Sequence, residues 1–162
     1  MSNSNFMSLP SIDKIPDFGL YMDQVITFME NYFPERPLTK TMINNYTKDK
    51  ILFPTKKKKY TREHIMALSL IQVLKKTLTL PEIKQLLEPI SQQVSDGNME
   101  GLYSTYEDFF TIHQEHLIPL AENFKYQVDE IVSDENPRII SYAYIANYFI
   151  SLSEELINTE DD

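Results

Sequence analysis

Apolar residues recur along this chain with the three-to-four-residue step of helices, and they nowhere alternate over the long runs that strands require. From Tyr21 to Phe33, Met22, Val25, Ile26, Met29 and Phe33 share one helical face, and Pro34 and Pro37 end that helix in a turn. Thr39 is placed to cap a second helix running to about Asp49, its hydroxyl accepting from a backbone N–H that the first turn leaves unpaired. The inward face of this helix is Met42, Ile43 and Tyr46. The segment ILFPTKKKKYT follows. Between Pro54 and Thr61 it is too short for a helix and long enough for a small hairpin, or wing. Thr61 caps a third helix with Ile65, Leu68, Ile71 and Leu74 in phase. Thr79, Leu80, Pro81 and Glu82 read as a capping box with proline in the first turn. They open a fourth helix over Ile83, Leu86 and Leu87 that ends near Pro89.

The pattern changes at SQQVSDGNMEG, residues 91–101, a polar link holding two of the three glycines. Ser104 with Glu107 is a further capping box, opening a helix through Phe109, Phe110, Ile112 and Leu117; Pro119 kinks it or marks a boundary. A stripe of Leu120, Phe124, Val128, Ile131 and Val132 continues, and Asn136-Pro137 starts the last helix. From Ile139 to Leu152 that helix is apolar nearly all round, and a helix apolar on every face must be buried on every face. It is therefore the central helix of the C-terminal part or half of a subunit interface. The N-terminal arm, residues 1–19, is polar, with Leu9, Ile12 and Phe18 expected against the body. The expected division is an arm (1–19), a helix-turn-helix domain (20–90), a linker (91–101), a helical dimerisation or sensing region (102–158) and an acidic tail (159–162).

Composition narrows the classes. A chain of 162 residues, 42% hydrophobic and with three glycines, supports a mainly all-α protein with a true core. Without cysteine there is no disulfide framework, thiolate zinc site or cysteine nucleophile. No run approaches the roughly 18 apolar residues of a membrane span. The N-terminus does not read as a secretory signal, so a cytoplasmic location with no membrane partner is expected.

Charge changes the picture most. The net charge is −9, yet Arg36–Lys76 holds 11 of the 15 basic residues against two acidic ones, Asp49 and Glu63. That stretch carries +9 (11 − 2), and the remainder carries −18. Concentrated positive charge in an acidic protein points to an anionic partner, and the helix-turn-helix order points to double-stranded DNA. The second helix offers Lys40, Asn44, Asn45 and Lys48 on or near its polar face. Asparagine can bond adenine bidentately, and lysine reaches guanine or phosphate. Tyr46 packs inward with its hydroxyl within reach of a phosphate. Lys56, Lys57, Lys58 and Lys59 suit backbone phosphates, which position without specifying, and Arg62 in the first turn of the third helix joins them.

The stretch LTKTMINNYTKDKILFPTKKKKYTREHIMALSLIQVLKKTLTLPEIKQLL resembles the DNA-binding domain of MerR-type regulators. Tyr46 matches the aromatic that ends the second helix, and Ile51, Leu52 and Pro54 match a Gly-Leu-Leu-Pro-like turn. Tyr60-Thr61 matches the end of the wing, and Leu80, Glu82 and Ile83 match the entry to the next helix. Asn44 stands where that family has an arginine, and Lys58 matches a wing arginine. The whole chain is also similar to a bacterial family of unknown function, the YkrK-like domain. The resemblance implies a MerR-like winged helix-turn-helix with a very short β-hairpin wing, followed by a C-terminal helical bundle. It further implies a transcriptional regulator, while the all-apolar last helix leads to the expectation of a homodimer through the C-terminal helices; an unknown small-molecule effector completes the expected partners.

Other chemistry is sparse. His113 and His116 lie three apart but lack a well-placed third metal ligand, so no metal is expected. His64 reads as structural. The C-terminal aromatics read as core or interface before a ligand pocket. No nucleophile elbow, P-loop or dinucleotide fingerprint occurs, so neither an enzyme nor a cofactor is expected. The alternative is a non-enzymatic interaction module or ligand sensor that uses the same scaffold to dock an acidic partner.

Overall fold

A computed structural model describes residues 8–159, and among them every regular element is helical. The chain divides into two units, Met1–Phe110 and Thr111–Asp162. The first contains a 3₁₀ turn (Ile12–Lys14), α1 (Met22–Tyr32), α2 (Lys40–Lys48), α3 (Arg62–Leu74), α4 (Leu80–Ser95) and all but the end of α5 (Glu100–Ile112). The second contains a π-helical turn (His113–Leu117), α6 (Ile118–Ile131) and α7 (Glu135–Asn158).

The three threonine caps stand where the sequence places them. Thr39 Oγ1 accepts from the Met42 N–H at 3.2 Å. Thr79 and Glu82 form the reciprocal capping box, the Thr79 N–H donating to Glu82 Oε2 at 2.7 Å. At Thr61 the third residue of the helix is His64, whose Nδ1 takes the role of the usual glutamate and accepts from the Thr61 N–H at 2.9 Å.

The centre of the first unit is α3, which is buried without a break from His64 to Gln72. Ile43 and Tyr46 of α2, Val25 and Met29 of α1, and Ile83 and Leu87 of α4 supply much of the rest of the core. Among the buried side-chain polar atoms of the described residues Gln72 Oε1 lacks a hydrogen-bond partner, and its neighbours are paired. Ser69 Oγ donates back to the Ile65 carbonyl at 2.8 Å. Arg36 Nη1 donates to the Gln72 carbonyl at 2.6 Å, and Gln72 Nε2 donates to the Arg36 carbonyl at 2.8 Å. This reciprocal clamp fixes the α1–α2 turn against the end of α3.

Several expectations are corrected. The arm is part of the body from residue 8: Leu9 and Ile15 are buried, whereas Phe18 is exposed. The linker over 91–101 is mostly helix. α4 runs through Pro89 to Ser95 because Ser91 and Val94 continue the buried row of Ile83 and Leu87, leaving Leu86 outside. The true link is residues 96–99, with Gly97 at φ 89° supplying the left-handed turn. α5 then belongs to the first unit. Its Leu102 and Tyr106 are buried, and the Tyr106 hydroxyl donates to the Pro10 carbonyl at 2.6 Å.

The expected β-hairpin is absent as a strand pair. Residues 56–59 form a tight turn with one isolated bridge, Lys56 with Lys59, and a second bridge joins Leu20 to Tyr60. Pro119 neither ends nor breaks its helix. It follows the π-helical turn, which absorbs the missing N–H and the ring's clash with the preceding turn. α7 is not the central helix of its unit: among its described residues only Ile157 is buried.

Candidate functional site

The basic stretch divides into an exposed set and a set committed to the fold. On α2, Lys40, Asn44 and Lys48 follow the i, i+4, i+8 row of one face, with Asn45 beside them, and all four side chains face solvent. Lys40 Nζ lies 2.8 Å from Asp23 of α1, an exposed ion pair that a competing anion displaces at little cost. Tyr46, expected to reach a phosphate, is buried on the opposite side of α2, where desolvation pushes its phenol pKa up and keeps it neutral. Its carbonyl ends the helix, accepting from the Ile51 and Leu52 N–H groups at 2.9 and 3.0 Å.

Arg62 is committed as well. Its Nε and Nη2 donate to the Ile15 carbonyl at 3.2 and 2.9 Å, and Nη1 lies 3.9 Å from Asp17. The guanidinium therefore anchors the arm to α3, and its forked donors are not free for a phosphate.

Lys56, Lys57, Lys58 and Lys59 are all exposed. The turn that carries them is pinned at both ends on His64. Phe53 stacks on the imidazole with ring centroids 4.3 Å apart, and Tyr60 meets it edge-on at 5.2 Å. Because Nδ1 accepts from Thr61, the His64 proton sits on Nε2, which donates to the Phe53 carbonyl at 3.2 Å. Desolvation lowers the His64 pKa to about 4, so the ring is neutral at physiological pH, as a structural histidine needs to be. Paired bonds between Leu20 and Tyr60, both 2.8 Å, join the turn to the arm. A Cβ on Gly19 would come within 2.8 Å of Lys59 Cδ, so only glycine allows this approach without displacing Lys59. Lys59 Nζ also lies 5.5 Å from the ring centre of exposed Tyr21.

Backbone geometry adds a residue that sequence reasoning missed. Among the described residues, the three non-glycine residues with positive φ are Lys50 (63°), Lys57 (53°) and Lys58 (60°). Lys50 follows α2 in the left-handed position where glycine commonly ends a helix. Lys57 and Lys58 occupy the middle of a tight turn that favours Asn-Gly. A lysine in this conformation costs roughly 1 kcal/mol more than glycine.

In the second unit, His113 is buried and bonded at Nδ1 to Gln114 Nε2 at 3.0 Å, while His116 is exposed. Among the described residues no group of three His, Cys, Asp or Glu side chains could hold a metal ion, and no helix is long and apolar enough to cross a membrane.

No curated protein and no solved structure matches the chain. A family model described as a domain of unknown function, DUF1836, matches residues 10–109, which coincides with the first unit from the buried Pro10 to the last turn of α5. The match spans more than half of the sequence, and the chain belongs to the DUF1836 family.

Proposed function

We propose that the chain is a non-enzymatic, sequence-specific DNA-binding regulator of transcription, working in the cytoplasm and built as a MerR-like winged helix-turn-helix. In this reading α2 enters the major groove with Asn44 and Asn45 toward base edges and Lys40 and Lys48 toward phosphates. The turn at residues 56–59 acts as a minimal wing on the backbone, and Lys50 extends the phosphate contacts. Tyr46 and Arg62 are scaffold.

One observation carries the reading. Three exposed lysines occupy left-handed backbone positions that glycine or asparagine would fill with less strain. Backbone strain persists where surrounding structure over-determines it, and it gathers at functional sites. Here the gain retained against that strain is positive charge at fixed positions. A solvated loop has no use for it.

The test is binding to duplex DNA across salt concentrations, starting with a random-sequence library. The slope of log K against log salt should lose about 0.9 for each lysine–phosphate contact removed. Replacing Lys56, Lys57, Lys58 and Lys59 with alanine should flatten the slope and weaken all sequences alike. Asn44→Ala should instead cost about 1–3 kcal/mol of discrimination at one base pair. If no duplex binds better than micromolar at low salt, the proposal fails and an acidic protein partner takes the place of DNA.

A further inference from the structure

The second unit exposes an apolar surface that its own helices leave open. On α7, Ile140, Tyr144, Tyr148, Leu152 and Leu156 recur every fourth residue and form one ridge about 24 Å long. They are 69, 73, 54, 38 and 72% exposed. Phe149 flanks the ridge and is half exposed. From Ile139 to Ser153 no charged residue interrupts it. α6 cannot cover this length, having 14 residues against the 24 of α7. It meets α7 through Phe124 on Tyr142 and through Asp129, which accepts from Arg138 at 2.8 Å.

We infer that the α7 ridge is the interface with a second copy of this chain, packed across a two-fold axis near Tyr148. Area supports this occupant. The six side chains together expose on the order of 800 Å², the share each partner contributes to a standard stable interface. The ridge is also self-complementary. An antiparallel crossing of two such rows sets Tyr144 against Leu152 and Ile140 against Leu156 of the second copy, aromatic or branched against aliphatic, in the commonest helix-packing class. Charge disfavours nucleic acid and anionic lipid, whereas a second copy, equally acidic overall, would meet the ridge along a span that holds no charge from Ile139 to Ser153. Residues 111–162 hold 11 acidic and two basic residues, a net of −9 (2 − 11), and both cations, Lys125 and Arg138, are already paired with Asp129. Nucleic acid and anionic lipid surfaces are repelled from this unit, and the uncharged ridge offers a basic protein nothing to pair with.

The inference is independent of DNA binding, because it rests on residues outside the basic stretch and its test contains no DNA. Sedimentation equilibrium of the full chain should give twice the 19.0 kDa chain mass at micromolar concentration. The double variant Tyr144→Glu, Tyr148→Glu should raise the dimer dissociation constant at least thirtyfold, as loss of a central anchor does, with its helical circular dichroism unchanged. A second variant guards against misfolding. The chain has no cysteine, so Tyr148→Cys should oxidise to a disulfide-linked dimer, whereas Ile139→Cys, exposed but off the ridge, should not. A wild-type chain that stays monomeric at about 100 µM overturns the inference, as do glutamate variants that dimerise normally or cysteine variants that cross-link equally. Binding of the monomer to neutral lipid vesicles would assign the ridge to a membrane surface and overturn it too.

Discussion

α3 and α7 carry the same pattern and meet opposite fates. α3 has no charged residue from Ile65 to Leu74, and α7 has none from Ile139 to Ser153. Yet α3 is buried without a break from His64 to Gln72, while α7 leaves its longest apolar row in water. The difference lies in what the rest of each unit supplies. α3 is 13 residues long, and the arm, the α1–α2 turn and the segment after α2 each bond to it, through Ile15 with Arg62, Arg36 with Gln72, and Phe53 with His64. α7 is nearly twice as long and has one shorter helix beside it. An apolar helix therefore states that it must be covered, and the neighbouring elements decide whether its own chain can do so.

The sharpest test of this contrast compares truncations. Leu68→Ala removes a fully buried side chain from α3 and should cost about 2–5 kcal/mol of unfolding free energy. Tyr144→Ala removes a larger side chain from α7 and should stay within about 0.5 kcal/mol in dilute solution. Urea denaturation at two protein concentrations checks both. The Tyr144→Ala effect should grow as the protein is concentrated, because association stabilises the native chain by mass action. Equal costs at high dilution would mean that α7 is covered within the monomer, and the contrast would dissolve.

The starts at Thr39, Thr61 and Thr79 were legible in the sequence because caps are local, whereas Ser104, expected to open a helix with Glu107, lies inside α5, which begins at Glu100 after the turn at Gly97. The first three helices, and the split into exposed α2 lysines and buried α3 leucines, follow from the same short-range pattern. Longer-range facts were not legible. Arg62 looks like a surface cation until its bond to a carbonyl 47 residues earlier is seen. The end of α4 was misplaced because Ser91 occupies a core position and interrupts the apolar row, while Pro89 suggests a stop. In the candidate site, Asn44, Asn45 and the four turn lysines stand exposed as expected, whereas Tyr46 and Arg62 belong to the scaffold. Backbone strain at Lys50, Lys57 and Lys58 is a property of φ, and a lysine does not reveal it.

Acid separates the two helices a second way, because α3 carries a buried titratable ring and α7 carries no histidine. In the unfolded chain His64 takes up its proton near pH 6.5, and in the folded chain only near 4. Between these values the unfolded chain binds more protons, so stability rises with pH and its full contribution is present above about 6.5. Falling through the window should remove up to about 3 kcal/mol. Burial raises the pKa of the adjacent Glu63, but bonds from its own backbone N–H and the Tyr103 hydroxyl outweigh that and hold it below the usual carboxylate value, so any slope it adds has the same sign and lies at the acid end. Urea midpoints measured from pH 7 to 4 should show the slope in the wild type and its loss in His64→Phe. A slope that survives this replacement would show that His64 is not its source.

Strain gives the smallest difference between the units and the most direct link to function. All three left-handed lysines lie in the first unit, where Phe53 and Tyr60 pinned on His64 hold the turn in place. The described residues of the second unit contain no such position. Replacing Lys50, Lys57 or Lys58 with glycine relieves the backbone at the cost of one charge. Each replacement should stabilise the fold by up to about 1 kcal/mol, read as a higher urea midpoint with unchanged slope. Each should also weaken duplex binding and remove about 0.9 from the salt slope. Opposite signs for stability and affinity at the same residue are what distinguish a strained functional position from an ordinary turn. If glycine stabilises the turn and leaves DNA affinity intact, the lysines are incidental and the proposed wing loses its support. If glycine destabilises it, contacts of the replaced lysine side chain itself hold the turn, and the strain argument fails at its source.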